Sequence, residues 1–306
     1  MNTELIEQIY SKYEALGENP ESYLKGLLTA QPITYWDYVE TDTLLSLQKP
    51  RTAYKDEAIF IMYHQVTELT LKMMLHEIKQ LTTDQLSDKE WINKMERLNR
   101  YTSLLITSFD IMKSGMNYDD YNTFRYTLTP ASGFQSVQFR MIELYCTPLV
   151  NLVNEQGKMR LSANPTIEEY MDNLYWKDAG CNRNTGKKSL TLQAFENRYQ
   201  EQLTSLAYKM EEHTLSDKIK KRASLPAELK EKLREFDYLY NIQWPLVHLQ
   251  TAQHYLDSKH ENKAATGGSE WKKYLHPKYQ QRKFFPDLWT KDEKNSWGIV
   301  SKNEQP

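Results

Sequence analysis

Apolar residues recur every three or four positions along most of the chain, which is the repeat of an amphipathic α-helix. Gly is scarce, at 10 residues, and no segment shows the strict apolar–polar alternation of a half-buried strand. The pattern therefore predicts an all-α fold. The predicted helices span residues 2–16, 35–47, 56–81, 87–113, 133–145, 166–175, 190–214 and 226–260.

Helix-breaking and helix-capping residues separate these segments. Gly17 and Pro20 close the first helix, Pro50 follows the second, the region of Asp56 caps the third, and Ser87 opens the fourth. No internal repeat or sustained heptad pattern is present, so one helical bundle is the simplest architecture. Loops are predicted at 115–130, at 155–190 around the short helix, and in the mixed tail 261–306.

Composition narrows the functional classes. The net charge of −2 gives no electrostatic reason to expect nucleic acid, and the longest apolar run is too short to span a membrane. The amino terminus has no apolar signal core, and the two cysteines, Cys146 and Cys181, form no disulfide framework, so we expect a cytoplasmic protein. The 21 Tyr and 7 Trp favour a large subunit interface.

Several familiar motifs are absent. Residues 179–189 resemble a phosphate-binding P-loop, but five residues separate Gly180 from Gly186 where that motif requires four. No Glu lies three residues before a His, which excludes the Glu-x-x-His pattern of di-iron bundles. The pair His76-Glu77 is not followed by the second His of a zinc hydrolase.

Isolated histidines on apolar helices are the first candidate site residues. Phe60 and His64 are four apart and share one helix face, and His248 shares a face with Tyr255. His254 lies about 240° around the helix from His248, so the two cannot easily bind one metal. A lone His on an apolar face is more often a core residue that has found a hydrogen-bond partner.

Arg125 is the second candidate, within the tyrosine-rich segment 118–140. One interpretation is a surface loop in which this arginine pairs with a nearby Asp. The other is an anchor for a ligand carboxylate, which a guanidinium can bind with two parallel hydrogen bonds. The residues alone leave both interpretations open.

At these segments the chain resembles the tryptophan 2,3-dioxygenase family along most of its length. The third of the following blocks is the most specific, because it is a long, near-literal match, whereas region 150–230 is not diagnostic. The blocks are TYWDYVETDTLLSLQ (34–48), IFIMYHQVTELTLKMMLHEI (59–78), YNTFRYTLTPASGFQSVQFRMIE (121–143), and residues 244–259 with ATGGSEW (265–271).

The resemblance implies an all-α helical bundle of the tryptophan/indoleamine 2,3-dioxygenase type that binds one heme b per subunit. It makes His248 the axial ligand of the heme iron and His64 the acceptor of a hydrogen bond from the substrate's indole N–H. Phe60 is expected to line the indole pocket. Arg125 is expected to bind the carboxylate of L-tryptophan, with Tyr121 shaping the site.

The implied reaction cleaves the indole C2–C3 bond with O₂ and yields N-formyl-L-kynurenine, the first step of the kynurenine pathway. Thr266 is expected to contact the amino-acid end of the substrate, and Ser132 and Gly133 to lie beside the heme. The whole chain, 1–306, would form a single domain in a homotetramer, a dimer of dimers, with 1–50 as an arm on a neighbouring subunit. The arm residues expected to enter the neighbour's active site are Tyr35, Tyr38 and Val39.

The chain departs from the family pattern at three positions. His254 stands where members often have Arg, Ala265 replaces the first Gly of the Gly-Thr-Gly-Gly loop, and Pro245 replaces an Arg three residues before His248. A proline there predicts the start or a kink of a helix, because it has no N–H and clashes with the preceding turn.

Two alternatives remain open. One is a heme enzyme of the same superfamily that acts on a modified indole or on tyrosine in a secondary pathway. The other is a non-enzymatic, heme-binding helical protein. Arg125 with Thr266 favours a free amino acid as substrate, and Phe60 with His64 favours an indole.

Overall fold

The protein is predominantly helical, which confirms the predicted all-α class. Strand occurs among the described residues only in one antiparallel ribbon, where β1 (Cys181–Asn182) pairs with β2 (Lys187–Lys188). None of the helices described combines the length and the apolar character needed to cross a membrane. A computed structural model describes residues 3–128, 131–182, 185–256, 272 and 275–299.

The chain divides into two compact units, at residues 48 and 49. In the N-terminal unit, Glu40 adopts a left-handed conformation with φ of 55°, and its N–H closes the preceding helix on the carbonyl of Trp36. The prediction of one helix over 35–47 is therefore wrong, since this residue divides it. The helices of this unit are α1 (Thr3–Ala15), α2 (Pro20–Leu27), α3 (Tyr35–Val39) and α4 (Thr41–Leu45).

The C-terminal unit contains the large core. Its helices are α5 (Asp56–Thr83), α6 (Asp88–Thr107), α7 (Phe109–Ser114), α8 (Tyr118–Phe124), α9 (Val137–Cys146), α10 (Glu155–Lys158), α11 (Ile167–Asp172), α12 (Leu190–Met210), α13 (Leu215–Lys220), α14 (Ala227–Tyr238), α15 (Trp244–Leu256), α16 (Pro277–Gln280) and α17 (Lys291–Asn295). Short 3₁₀ segments lie at Arg125–Leu128, Gly133–Gln135, Leu149–Leu152, Tyr175–Ala179 and Pro286–Leu288.

Helix α5 packs against α6 and α9, while α6 also packs against α14. Its apolar residues at three- and four-residue spacing are buried, including Leu71, Met74 and Ile78. The helix begins at Asp56, whose carboxylate accepts a hydrogen bond from the N–H of Asn117 at 2.5 Å. The start of α5 is thereby joined to the start of α8.

The predicted loop 115–130 is wrong, because α8 and a 3₁₀ segment occupy much of it. Asn117 caps α8 with a side-chain oxygen that accepts from two backbone N–H groups. The helix is too short to show a periodic apolar pattern. The predicted helix 133–145 also begins later, at Val137, after a 3₁₀ turn that starts at Gly133.

Other predicted helix boundaries differ from those in the structure. The predicted helix 87–113 divides at Ser108 into α6 and α7, and 166–175 ends at Asp172. The predicted helix 190–214 ends at Met210, and Thr214 then caps the separate helix α13, which the pattern did not predict.

The predicted helix 226–260 is divided by a π-helical turn, Leu239–Gln243. In this turn the N–H of Trp244 reaches the carbonyl of Leu239, five residues back. Pro245 follows directly, and a proline in a regular helix removes a hydrogen bond and clashes with the carbonyl four residues earlier. The wider turn accommodates Pro245, so the chain continues into α15 with the change of geometry that the proline predicts.

A buried carboxylate, Asp237 on α14, holds the C-terminal tail. It accepts hydrogen bonds from the backbone N–H groups of Phe284 at 2.8 Å and Phe285 at 3.0 Å. It also accepts one from the indole N–H of Trp289 and one from the side-chain amide of Asn241, each at 2.8 Å. The tail is therefore attached to the helix that leads into the π-turn.

We expect Asp237→Ala to lower the free energy of unfolding by at least about 3 kcal/mol, because buried donors lose their acceptor. Urea unfolding followed by circular dichroism measures this change. The control is Asp287→Ala, which removes only an exposed ion pair with Lys220 at 3.8 Å and should cost less than about 1 kcal/mol. Equal losses in the two variants would contradict the role of Asp237.

Candidate functional site

A cavity of about 600 Å³ lies inside the C-terminal unit. Its wall is mostly apolar and aromatic, with a few polar and charged side chains, which is the usual character of a cofactor or ligand site. The aromatic residues of the wall are Phe60, Tyr63, Phe109, Tyr121, Phe134, Phe139, Tyr175, Trp176, Trp244 and Tyr255.

One face of α5 brings Phe60 and His64 to this cavity, as their spacing predicts. The two rings lie 4.2 Å apart between centroids. The Nδ1 atom of His64 is 2.8 Å from the carbonyl oxygen of Phe60, and because a carbonyl can only accept, Nδ1 is the atom that carries the proton. In the neutral ring Nε2 is then a hydrogen-bond acceptor.

The surroundings of His64 favour this neutral form. Burial lowers the pKa of His64, and the Phe60 carbonyl and the charge of Glu68 oppose that shift only in part. The ring keeps accessible surface although protein surrounds it, because it faces the cavity. Glu68, one turn further along α5, accepts a hydrogen bond at 2.7 Å from Gln138 of α9.

His248 reaches the cavity from α15, together with Ala252 and Tyr255. Its ring lies 5.3 Å from that of Phe109, and none of the described residues forms a hydrogen bond with it. Burial and the nearby His64 lower the pKa of His248 to about 4. The site therefore presents a neutral imidazole with an available lone pair.

His248 does not belong to a metal-binding cluster of the described residues. In the described part of the chain, no group of three or more His, Cys, Asp or Glu side chains is arranged to hold a metal ion. One imidazole above an apolar space suits a metal carried by a macrocycle, in which the protein supplies an axial ligand.

Arg125 is a buried cation in the same cavity wall, with 4% of its surface exposed. It begins the 3₁₀ segment after α8, and its guanidinium lies 5.4 Å from the ring centre of Tyr126. Tyr121, one turn earlier, has its ring 5.9 Å from Phe60 and 4.3 Å from Tyr255. The rings of Phe60, Tyr121 and Tyr255, named here the apolar slot, line the same cavity as this cation.

Ser132 and Gly133 also line the cavity. Their turn is held by Gln135, whose side-chain oxygen accepts from the N–H of Ser132 at 3.0 Å and whose amide donates to the carbonyl of Thr191 at 3.1 Å. A side chain added at Gly133 would meet no atom within 4 Å, so this glycine leaves open space.

The remaining predicted residues are not among the described residues that line this cavity. Thr266 and its glycine-rich loop lie outside the described residues. Tyr35, Tyr38 and Val39 belong to the N-terminal unit, where 73%, 78% and 39% of their surfaces are exposed.

One cluster in the cavity wall was not predicted. The carboxylate of Glu143 is 3.0 Å from Arg140 and 2.7 Å from Arg282, and it accepts a hydrogen bond from Tyr175 at 2.6 Å. An arginine and a glutamate three apart in the apolar helix α9 were a usable signal, because charged residues in apolar helices are seldom buried unless paired. Arg282 lies in the polar run before Phe284, and its position along the chain gave no signal of this kind.

Residues 26–172 of this chain match a family model described as tryptophan 2,3-dioxygenase. A tryptophan 2,3-dioxygenase of Bacillus anthracis is 32% identical over 284 residues, which cover 87% of this chain and 94% of the relative. That of Bacillus cereus strain ATCC 10987 is 32% identical over 278 residues with the same coverage. That of Ruegeria pomeroyi is 27% identical over 274 residues, covering 85% and 92%.

Proposed function

The chain belongs to the tryptophan 2,3-dioxygenase family, and from this membership we propose that it cleaves the indole ring of L-tryptophan with O₂. Both oxygen atoms enter the product, N-formyl-L-kynurenine, so no external reductant is consumed in turnover. The observation that carries this proposal is the meeting of His64, His248 and Arg125 in one largely apolar cavity. His64 offers a hydrogen-bond acceptor, His248 a metal ligand and Arg125 a cation.

The chemistry of the cavity wall fits one heme b per subunit. His248 would hold the heme iron, since its imidazole is neutral, faces the cavity and forms no hydrogen bond with any described residue. Ser132 and Gly133 lie beside the cofactor, where the missing side chain of Gly133 leaves room. When bound, heme supplies the redox-active iron at which O₂ reacts.

His64 orients the indole. The ring of the substrate has one polar group, its N–H, and the Nε2 acceptor of His64 is the complementary group in an apolar wall. Phe60 packs beside this acceptor and restricts the indole to the apolar slot. A site built around one such hydrogen bond rejects analogues that lack the donor, because its own polar group is then left unpaired.

Arg125 binds the substrate carboxylate, and Tyr121 closes the pocket beside it. A buried guanidinium favours a carboxylate partner, since charge-assisted, two-point hydrogen bonds compensate for its lost hydration. Thr266 is a further contact for the amino-acid end of the substrate. Substrate binding and the aromatic wall together exclude water from the reacting ring.

The N-terminal arm, residues 1–50, packs on a neighbouring subunit of a homotetramer in the cytoplasm. Among the described residues of the N-terminal unit, Pro20 alone is buried, so this unit has no core of its own. Leu28, Ile33 and Tyr35 are 85%, 70% and 73% exposed, and large apolar surfaces of this kind mark protein interfaces. Tyr35, Tyr38 and Val39 then complete the active site of the neighbour.

The proposed reaction is tested by one assay. The purified protein is reconstituted with heme, reduced, and given L-tryptophan under ¹⁸O₂, and the product is identified by absorbance and mass. We expect N-formyl-L-kynurenine carrying two ¹⁸O atoms. A normal heme spectrum without this product would reject tryptophan cleavage and favour the superfamily enzyme of a modified indole or tyrosine.

We expect His248→Ala to abolish stoichiometric heme binding, because the axial ligand is lost. Heme titration followed at the Soret band measures this, and His254→Ala is the control on the same helix. A His248→Ala protein with an unchanged Soret band and affinity would overturn the ligand assignment.

Arg125→Met should weaken L-tryptophan binding by roughly 10- to 100-fold, since a charge-assisted hydrogen bond contributes about 1.5–3 kcal/mol. The dissociation constant is measured by spectral titration of the heme-loaded protein. Arg97→Met, which removes a half-exposed ion pair with Glu77, serves as the matched control. Unchanged affinity in Arg125→Met would exclude the anchor role.

His64→Ala should remove most of the preference for L-tryptophan over its N1-methyl derivative, because the acceptor of the indole N–H is gone. The ratio of kcat/KM for the two substrates is the measured quantity, with His76→Ala as the control on α5. A preference that survives in His64→Ala would count against the N–H contact.

Removal of residues 1–48 should lower the molecular mass of the assembly in solution below that of four truncated chains, because the arm forms part of the subunit interface. Light scattering after gel filtration measures this mass. In the full-length chain, Leu28→Asp should also lower the molecular mass of the assembly. Lys25→Asp, at an exposed polar position three residues earlier, should leave it unchanged. A truncated protein that remains a tetramer would contradict the arm's role.

A further inference from the structure

Arg140 and Arg282, named here the arginine pair, form a cluster with Glu143 and Tyr175. This cluster has more positive than negative charge. Two guanidinium groups face one carboxylate, and burial raises the pKa of Tyr175 to about 12, so its hydroxyl is uncharged at neutral pH. Arg140 and Arg282 are 5% and 3% exposed. A buried cluster with a net charge of about +1 is costly without a further anion.

Both guanidinium groups have an edge that no described residue pairs with. Their contacts with Glu143 and Tyr175 run through Nη1 in each case. The Nε atoms of Arg140 and Arg282 are buried, and no acceptor for them exists among the described residues. Nε and Nη2 form the side edge of a guanidinium, which is the two-donor fork that binds a carboxylate with parallel hydrogen bonds.

The arginine pair borders the same cavity as His248. Arg140 lies 4.3 Å from the ring centre of Phe139, whose ring is 5.1 Å from that of Trp244. Trp244 is four residues before His248 on α15, so it shares a helix face with that histidine. One aromatic layer therefore connects the free guanidinium edges to the helix that carries the proposed axial ligand.

Arg125 reaches the wall from a different element, the 3₁₀ segment after α8. The cavity thus has two cationic positions, and one amino-acid carboxylate occupies only one of them. Heme b carries two propionate carboxylates at one edge of a planar ring. These groups provide a second carboxylate ligand that enters the same cavity.

We propose that Arg140 and Arg282 bind a propionate carboxylate of the heme through their free Nε–Nη2 edges, with Glu143 and Tyr175 positioning them. This inference rests on the proposed heme binding. Because both propionates lie at one edge of the ring, arginines that bind them would orient the cofactor as well as retain it.

The test compares two porphyrins, iron protoporphyrin IX and its dimethyl ester, which has no carboxylate. Each is titrated into the wild-type protein, Arg282→Met and Arg282→Lys, with binding followed at the Soret band and by quenching of tryptophan fluorescence. Arg282→Met leaves Glu143 paired with Arg140 and Tyr175, so the core network persists. Circular dichroism checks that each variant is folded.

We expect Arg282→Met to bind heme about tenfold more weakly than the wild type, about 1.4 kcal/mol, while its affinity for the dimethyl ester stays unchanged. Arg282→Lys should fall between the two, since it keeps the charge and loses the fork. The control is Arg234→Met, which loosens the tail through its contact with the Leu288 carbonyl at 3.1 Å. Arg234 is not among the described residues of the cavity wall, so the affinities for the two porphyrins should change by the same factor.

Equal weakening of both porphyrins in Arg282→Met would overturn the proposal and show a purely structural cluster. Unchanged heme affinity together with weaker L-tryptophan binding would also overturn it, by assigning the arginine pair to the substrate's carboxylate. A wild-type protein that binds neither porphyrin would instead refute the proposed heme dependence itself, and this inference with it.

Discussion

The candidate site depends on the buried carboxylate of Asp237. This one side chain accepts hydrogen bonds from two consecutive backbone N–H groups, an indole and an amide, and so attaches the C-terminal tail to α14. Two residues later the chain enters the π-turn that leads to His248. The same attachment holds Arg282, two residues before Phe284 in the tail, in the cavity wall. The positions of α15 and of the arginine pair therefore both depend on this carboxylate.

Burial gives the cavity its chemistry. Loss of hydration disfavours charged imidazole, which lowers the pKa of both His64 and His248 and makes them acceptors. Guanidinium groups respond differently, since they stay charged when buried and require anionic partners. One cavity thus holds two neutral nitrogen acceptors and cationic side chains from different elements. A ligand set that combines a metal, an indole N–H and carboxylates fits this arrangement.

The helical pattern predicted the long elements well and the short ones poorly. Helix α5 and the shared face of Phe60 and His64 follow from spacing alone, because a long helix has few ways to bury one apolar face. Helix α8 was missed, since its seven residues depend on the Asn117 cap and on Asp56, 61 residues away in sequence. The division of 226–260 was signalled only by Pro245.

The amino-acid sequence by itself determined the fold class, the main helices and, through family resemblance, the identity of the candidate residues. Periodicity and motif are local properties, so they survive in a linear chain. The tertiary structure alone decided that His64 and His248 face one cavity, that Arg125 is buried there, and that Arg282 meets Glu143 across 139 residues. Such meetings depend on helix packing, where contacts between distant segments determine burial, charge balance and the protonation of each group.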